Sequence, residues 1–427
     1  MAPLTPLQPW IAQKIGLPPE GLTRVALEAY QLHRLQATLD LCRAKSPFYR
    51  QHLASFPDTV KSLADWQALP FTTAVAVQER PLSLLCVSQS DIQRVVTLDT
   101  SGTSGTPKRL YFTAADQELT RDFFHVGMST FTAPGDKVLI LLPGDRPGSV
   151  GDLLDQAVAR LGATGIRHGL VTDVAQTLAV LRAEQPAVVV GMPVQVLALV
   201  RSAAARPFPR LKSVLLTTDH VPAAIVQAVE AAWNCTVYNH YGMTEMGLGG
   251  GVECAAREGY HLREADLYVE IVDPQTGAPQ PDGAYGEIVF TTLTRQGMPL
   301  IRYRTGDVSR FLPGACACGA VLRRLEKVRF RWHGRFPHTA TGFLTMADLD
   351  DALFPLEGVL DFSAAVSPAE LRVTVQTEER EGMETAVRQA LASLPVVRAA
   401  EMAVTVRVQS HGLGVRGKRQ MTHLPMP

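Results

Sequence analysis

Three short stretches of this chain hold residue types suited to gripping a polyanion. In Thr100-Ser-Gly-Thr-Ser-Gly-Thr-Pro-Lys108, hydroxyls and glycines run up to a single cation, just after the extended segment Val95-Val96-Thr97-Leu98. Glycines let a backbone approach closely, and consecutive N–H groups and hydroxyls supply donors without bulk. The loop reads as a phosphate gripper. It contains neither the Walker pattern G-x-x-x-x-G-K-[ST] nor the dinucleotide pattern G-x-G-x-x-G. Two further stretches fit the same chemistry: Tyr241-Gly-Met-Thr-Glu245 and Tyr303-Arg-Thr-Gly-Asp307.

Taken in order, the three motifs resemble those of the adenylate-forming superfamily, and within it the phenylacetate–CoA ligase family. The closer likeness rests on Ser46-Pro-Phe-Tyr-Arg50, Leu69-Pro-Phe-Thr-Thr73 and Met298-Pro-Leu-Ile-Arg-Tyr-Arg-Thr-Gly-Asp307. The resemblance implies that the chain activates a carboxylic acid. The acid's carboxylate attacks the α-phosphorus of ATP and pyrophosphate leaves, so catalysis is mainly positioning and charge neutralisation.

On that resemblance, Ser101, Gly102, Thr103, Ser104, Gly105, Thr106 and Lys108 hold the β- and γ-phosphates. Glu245 is the expected Mg²⁺ ligand, because a hard cation takes carboxylate oxygen and shares phosphate oxygens. Thr244 offers a hydroxyl to the α-phosphate, and Tyr241 with Gly242 lines the nucleotide. Asp307 sits where the family places a carboxylate accepting both ribose hydroxyls, a pairing that suits two acceptors without donors. The family's Gly-Gly-Glu before the adenine site is here Thr217-Thr-Asp219, which makes Asp219 the matching contact. A nucleotide-contacting arginine follows downstream, with Arg331 favoured and Arg335 a rival. Near the end, Gly412-Leu-Gly-Val-Arg-Gly-Lys418 places a lysine on a glycine-rich tip, like the lysine that bridges acid and ATP during adenylation. A flexible point charge suits that role. A basic, frayed tail is the plainer reading of the same residues.

Two features stand apart from these motifs. Many relatives follow the arginine with a paired-Asp hinge, whereas this chain has Trp332-His-Gly-Arg-Phe-Pro-His338. Cys254, His261, Cys316 and Cys318 form a donor set suited to tetrahedral Zn²⁺, with Gly319 permitting a tight knuckle. Some relatives carry Cys-x-Cys-Gly at this place, and a structural zinc is expected. Cys42, Cys86 and Cys235 lie in apolar contexts and read as core residues.

The elements that must position these groups follow from periodicity. Val25, Ala29, Leu32, Leu35, Leu39 and Cys42 recur at helical spacing, predicting a helix over about 22–45. Between 138 and 240, apolar runs at Val138–Leu142, Val188–Val190 and Val214–Leu216 alternate with helix-like segments at Asp152–Leu161, Pro193–Ala204 and Ala223–Trp233. Fully apolar strands alternating with helices predict a parallel α/β sheet, whose ligands sit at the carboxyl strand ends. From about 265 the rhythm changes to a small antiparallel β unit, with strands at Leu267–Val272 and Glu287–Leu293. The last 90 or so residues read strand (Leu371–Gln376), helix (Met383–Leu394), strand (Met402–Val408), an α+β cap. The expected division is 1–335 for the adenylate-forming domain and 336–427 for the mobile cap.

Composition bounds the partners. With 427 residues, several domains are expected, and 41 basic against 41 acidic residues disfavour a nucleic-acid surface. No run of about 20 apolar residues suggests a membrane span. Met1-Ala-Pro-Leu-Thr-Pro lacks the pattern of a secretory signal, so a cytoplasmic enzyme is expected, as a monomer or homodimer. Acid pocket candidates are Gly144–Gly151, Asp219-His220 and Gly247–Gly251. The acyl acceptor is CoA, or else an amine, hydroxyl or carrier protein; a relative that binds without turnover is the non-enzymatic alternative.

Overall fold

The computed structural model describes residues 3–98, 107–202, 208–338, 342–378, 381–410, 419 and 421–424. The chain is α/β, and it divides into two compact units. One comprises residues 1–132, 146–161 and 240–328; the other comprises 133–145, 162–239 and 329–427.

In the first unit the helix Arg24–Lys45 begins where the Thr23 side chain accepts from the Ala26 N–H and ends at Ser46. Ser46 in turn caps the helix Pro47–His52, with proline at a first-turn position that needs no donor. The predicted helix is present, but its buried face is Leu27, Gln31, Leu35, Thr38, Leu39 and Cys42. Val25 is 77% exposed, so the apolar stripe read from the sequence was rotated at its start. Polar Gln31 and Thr38 replace it because each bonds a backbone carbonyl, of Glu264 and Thr292 respectively.

The strands Ile92–Leu98 and Lys108–Thr113 pair antiparallel, with Leu98 opposite Lys108. Lys108, the last residue of the hydroxyl-rich stretch, is therefore a strand residue. Thr113 then starts the helix Ala114–Met128 with a reciprocal capping box to Asp116. Three antiparallel strands, Leu267–Val272, Gly286–Thr292 and Tyr303–Ser309, form the β unit. Its first turn is built by the Asp273 carboxylate, which accepts from the Gln275 and Thr276 N–H groups.

The second unit holds parallel strands in the order Thr236–Tyr241, Ser213–Leu216, Val188–Gly191, Lys137–Ile140, Thr164–Arg167. The three middle strands are almost wholly buried, as their unbroken apolar runs require. Helices Val174–Glu184, Pro193–Arg201 and Ala223–Trp233 accompany them. The first of these helices and the strand Thr164–Arg167 were not marked by the sequence pattern. Residues Asp152–Leu161, expected as a helix of this sheet, form Val150–Ala159 and belong to the first unit. The C-terminal segment forms a sheet ordered Ala403–Ser410, Glu370–Thr377, Val359–Val366, Thr422–His423, with helices Met346–Leu353 and Met383–Ser393. Its apolar side joins one core with the parallel sheet. Arg201 reaches from one to the other, donating to the Phe354 carbonyl at 2.6 Å and to the Val359 carbonyl. Among the described residues no helix is long and apolar enough to cross a membrane.

Candidate active site

The strand Thr236–Tyr241 ends in the first unit, where His240 and Tyr241 pair antiparallel with Val252 and Gly251. Between them the chain makes a 3-10 turn at Thr244–Met246 and doubles back. The Leu248 N–H reaches the Met243 carbonyl, and the Gly250 N–H reaches the Tyr241 carbonyl, each at 2.9 Å. Only glycine fits at 242: an added Cβ would lie 2.1 Å from the Leu248 carbonyl oxygen. This tight fold buries Glu245 to 3% exposure while keeping its carboxylate aimed at the strand end.

Glu245 meets two partners from other elements. Lys108, the first residue of its strand, forms an ion pair with Glu245 Oε1. The Tyr303 hydroxyl lies 3.2 Å from that same oxygen and 3.2 Å from Lys108 Nζ. Arg295 Nη1 donates to the Glu245 carbonyl at 2.7 Å, and Arg263 Nη2 donates to the Met246 carbonyl. Both arginines are buried, and burial pulls the Arg263 guanidinium down to about 10. Close by, the Tyr241 hydroxyl donates to Asp307 Oδ2 at 3.0 Å, and the Tyr241 ring stacks on Tyr260 at 5.9 Å. Three motifs far apart in sequence thus supply one cluster of Lys108, Tyr241, Glu245, Tyr303 and Asp307.

Beside the turn lies an aromatic wall. His240 sits 6.1 Å from Phe123 and 6.0 Å from Phe124, ring centre to ring centre. Burial, and then the charge of Arg263, lower the imidazole to about 4, so His240 is neutral at pH 7. Gly249 packs against Phe123 so closely that a Cβ there would lie 2.4 Å from the ring.

Cys254, His261, Cys316 and Cys318 converge, all buried, with their donor atoms within 4.8 Å of one another. The ladder Gly251–Glu253 with Tyr260–Leu262 sets the first pair side by side. A turn closed by the Gly319 N–H on the Cys316 carbonyl sets the second, and Gly319 takes a φ of 78° there. Cys254 Sγ is 3.7 Å from Cys316 Sγ, and Cys318 Sγ is 3.4 Å from His261 Nε2. Burial raises the Cys254 thiol to about 12. At Cys318 burial also pushes upward, but the hydrogen bond and charge of His261, together with backbone N–H groups of Ala320 and Thr5, outweigh it and bring the thiol to about 6. His261 Nδ1 is buried without a protein partner. Three sulfurs and an imidazole with an orphaned nitrogen fit a tetrahedral soft-metal site.

The remaining predicted residues fall elsewhere. Thr244 begins the 3-10 turn beside Glu245. Asp219 and Arg331 belong to the second unit. Arg331 is exposed, while its rival Arg335 stacks on Trp332 and donates to the Trp332 carbonyl at 3.0 Å. Ser101, Gly102, Thr103, Ser104, Gly105, Thr106 and Lys418 lie outside the described residues. Sequence reasoning missed Tyr303, which stood inside a quoted motif, and Arg263 and Arg295, which no local signal marks.

Residues 27–294 match the AMP-binding enzyme family, and the chain belongs to it. It is 30% identical to the phenylacetate–coenzyme A ligase of Thermus thermophilus over 326 residues, 72% of this chain and 71% of that one. It is equally similar to the phenylacetate–coenzyme A ligase of Pseudomonas putida, with 30% identity over 74% of this chain and 72% of that one. Among solved structures, 2-hydroxyisobutyryl-CoA ligase in the postadenylation state shares the fold. The TM-score is 0.81 at 22% identity, covering 94% of this chain and 90% of the other. The chain is an AMP-forming ligase.

Proposed function

We propose that the protein activates an aromatic carboxylic acid with ATP and passes the acyl group to CoA. The observation carrying this reading is the Lys108–Glu245–Tyr303 cluster beside the Tyr241–Asp307 pair. In the first half-reaction an oxygen of the acid bonds to the α-phosphorus, the α–β phosphoanhydride bond breaks and pyrophosphate departs. In the second, the CoA thiolate attacks the acyl carbon and AMP departs.

Each described side chain has a part in this. Lys108 turns from Glu245 to the β- and γ-phosphates, a compact charge suited to moving between anions. Glu245 is then free to hold Mg²⁺, which supplies charge neutralisation at the phosphates. The Tyr303 hydroxyl keeps the carboxylate oriented while Lys108 is away. Asp307 accepts the ribose hydroxyls, with the Tyr241 hydroxyl fixing one of its oxygens. Thr244 donates to the α-phosphate, and Arg331 is assigned to the nucleotide. The acid lies against Phe123, Phe124 and neutral His240, whose flat faces suit an aryl ring. Lys418 bridges the acid and ATP from the C-terminal segment, residues 336–427, which acts as the cap.

Zn²⁺ is assigned to Cys254, His261, Cys316 and Cys318 in a structural role. There it would tie the turn of 316–319 to the ladder that carries Tyr260, and no step of the reaction calls on it. A cytoplasmic location follows from the use of ATP and CoA and from the reduced state this thiol set needs.

The test is acid-dependent exchange of labelled pyrophosphate into ATP over a panel of aryl and aliphatic acids, followed by AMP release with and without CoA. Exchange with aryl acids and CoA-dependent turnover are expected. Exchange confined to short aliphatic acids would overturn the aryl assignment. AMP release indifferent to CoA but stimulated by amines would overturn the acceptor.

A further inference from the structure

Arg419 looks, in sequence, like part of a basic tail, yet its side chain is only 3% exposed. Its guanidinium donates through Nη2 to Asp350 Oδ2 at 3.0 Å, and Nη1 lies 2.8 Å from Asp350 Oδ1. Its flat face lies over the rings of Phe354 and Phe362, at 4.9 and 5.3 Å. Asp361, 1% exposed, adds a second carboxylate to the same charge. These four partners all come from residues 350–362, the C-terminal segment's own helix and strand.

One further partner comes from the parallel sheet. Asp219 Oδ2 accepts from the Arg419 backbone N–H at 3.3 Å and lies 3.5 Å from Arg419 Nε. The other oxygen, Oδ1, accepts from the His220 N–H at 2.9 Å, so the carboxylate is fixed at both ends. The loop that presents it is strained. Thr218, a β-branched residue, takes a φ of 75° immediately before it. Strain of that kind persists where surrounding contacts over-determine it, and it collects at working sites. Asp219 and Arg419 are 200 residues apart.

We propose that Arg419 is a positioning residue for adenylate formation, and that Asp219 is the latch that holds it, rather than a nucleotide contact. This rests on the reading above, in which Lys418 serves the first half-reaction. The residue after that lysine is pinned by its backbone N–H to the loop at the carboxyl end of the strand Ser213–Leu216. The contact with Asp350 stays within the C-terminal segment whatever that segment does. The Asp219 contact is the part that must open if the segment turns for the second half-reaction. One hydrogen bond to a carboxylate that is 14% exposed is a contact that can be made and broken. The buried contact with Asp350, made inside the C-terminal segment itself, is the permanent anchor.

Asp219→Asn is the variant that tests this, since it leaves the Asp350 anchor and the Arg201 ties in place. Three readouts are made on the full-length chain. Tryptic cleavage after Arg419, with the rest of the fold checked by its melting curve, should accelerate at least about tenfold. Pyrophosphate exchange should lose about a hundred-fold in kcat with little change in KM for ATP, the size expected of a misplaced catalytic group. Acyl transfer to CoA from supplied acyl-adenylate should be unchanged, and Asp219→Glu should recover part of the exchange.

An increase in KM for ATP at constant kcat would overturn the latch in favour of a direct nucleotide contact. So would unchanged cleavage after Arg419. If the native chain exchanges pyrophosphate with no acid at all, the functional reading fails, and the cleavage rate alone still decides whether Asp219 holds Arg419.

Discussion

Lys108 and Glu245, 137 residues apart, form an ion pair in which the lysine side chain is 16% exposed and the carboxylate 3%. Under the proposed function each is assigned a different counter-ion, Lys108 the phosphates and Glu245 the metal. A buried charge left unpaired costs several kcal/mol. The mutual pairing, with the Tyr303 hydroxyl 3.2 Å from both, gives each buried group a partner.

Glu245→Gln is expected to lower acid-dependent pyrophosphate exchange about a hundred- to thousand-fold, the loss typical of one electrostatic contact, roughly 3–4 kcal/mol. Raising Mg²⁺ should recover part of it. Tyr303→Phe, which removes a single hydroxyl and no charge, should cost only about tenfold, in keeping with one hydrogen bond to a charged group. Steady exchange rates in the Glu245 variant across a magnesium titration would remove that residue from the metal.

The zinc assignment makes a separate claim on composition. One zinc per chain should survive purification, and Cys316→Ser should lower metal content and melting temperature together. Stripping the metal with a chelator should do the same to the native chain, because binding energy at a structural site is folding energy. A chain that melts identically with and without its metal would deny the site a structural role.

Much of this arrangement was legible in the sequence where spacing is local or a motif is short. The apolar runs Val188–Val190 and Val214–Leu216 became buried parallel strands because such runs have no polar face to offer water. The set Cys254, His261, Cys316 and Cys318 was read together and lies together, because the ladder 251–253 with 260–262 and the turn at 316–319 are each short local structures. What stayed hidden depends on contacts across long separations. Nothing near Arg419 announces Asp350 or Asp219, and a run of Arg-Gly-Lys-Arg reads as solvated tail. The face of the helix Arg24–Lys45 was misjudged for a related reason. Gln31 and Thr38 are buried only because distant carbonyls accept from them.

Lys418→Ala should separate the two half-reactions. Exchange of pyrophosphate should be abolished, while transfer from supplied acyl-adenylate to CoA continues. The chain lacks the acidic hinge pair of many relatives, so the comparison also reports on the cap. Equal loss of both half-reactions in a variant that melts normally would mean the cap does not alternate between two roles. No loss in either would return the lysine to a simple basic tail.

The carboxylates around Arg419 give the last expectation, a pH dependence with a definite sign. Burial raises Asp350 from the ordinary 3.8 to about 7, against the attraction of Arg419 and with help from the charges of Asp219 and Asp351. Burial likewise raises Asp361 to about 6, again opposed by Arg419 and assisted by Asp219. In both cases the folded chain holds a proton that the unfolded chain has already released. Unfolding therefore releases protons between about pH 4 and pH 7, and stability from these groups falls as pH rises through that window. It is fully present below the unfolded value and spent above the folded one, the reverse of a paired surface carboxylate. Asp350→Asn removes the larger share, because an amide does not titrate. The melting temperature of the variant minus that of the native chain should thus grow from pH 4.5 to pH 7.5, by roughly 5–10 °C. Differences are the quantity to read, since other carboxylates titrate alike in both proteins. Two melting curves that stay parallel across the window would show that Asp350 is ionised in the folded chain at every pH tested. The cluster would then be a plain buried ion pair, and the proton would have to be sought on Asp361.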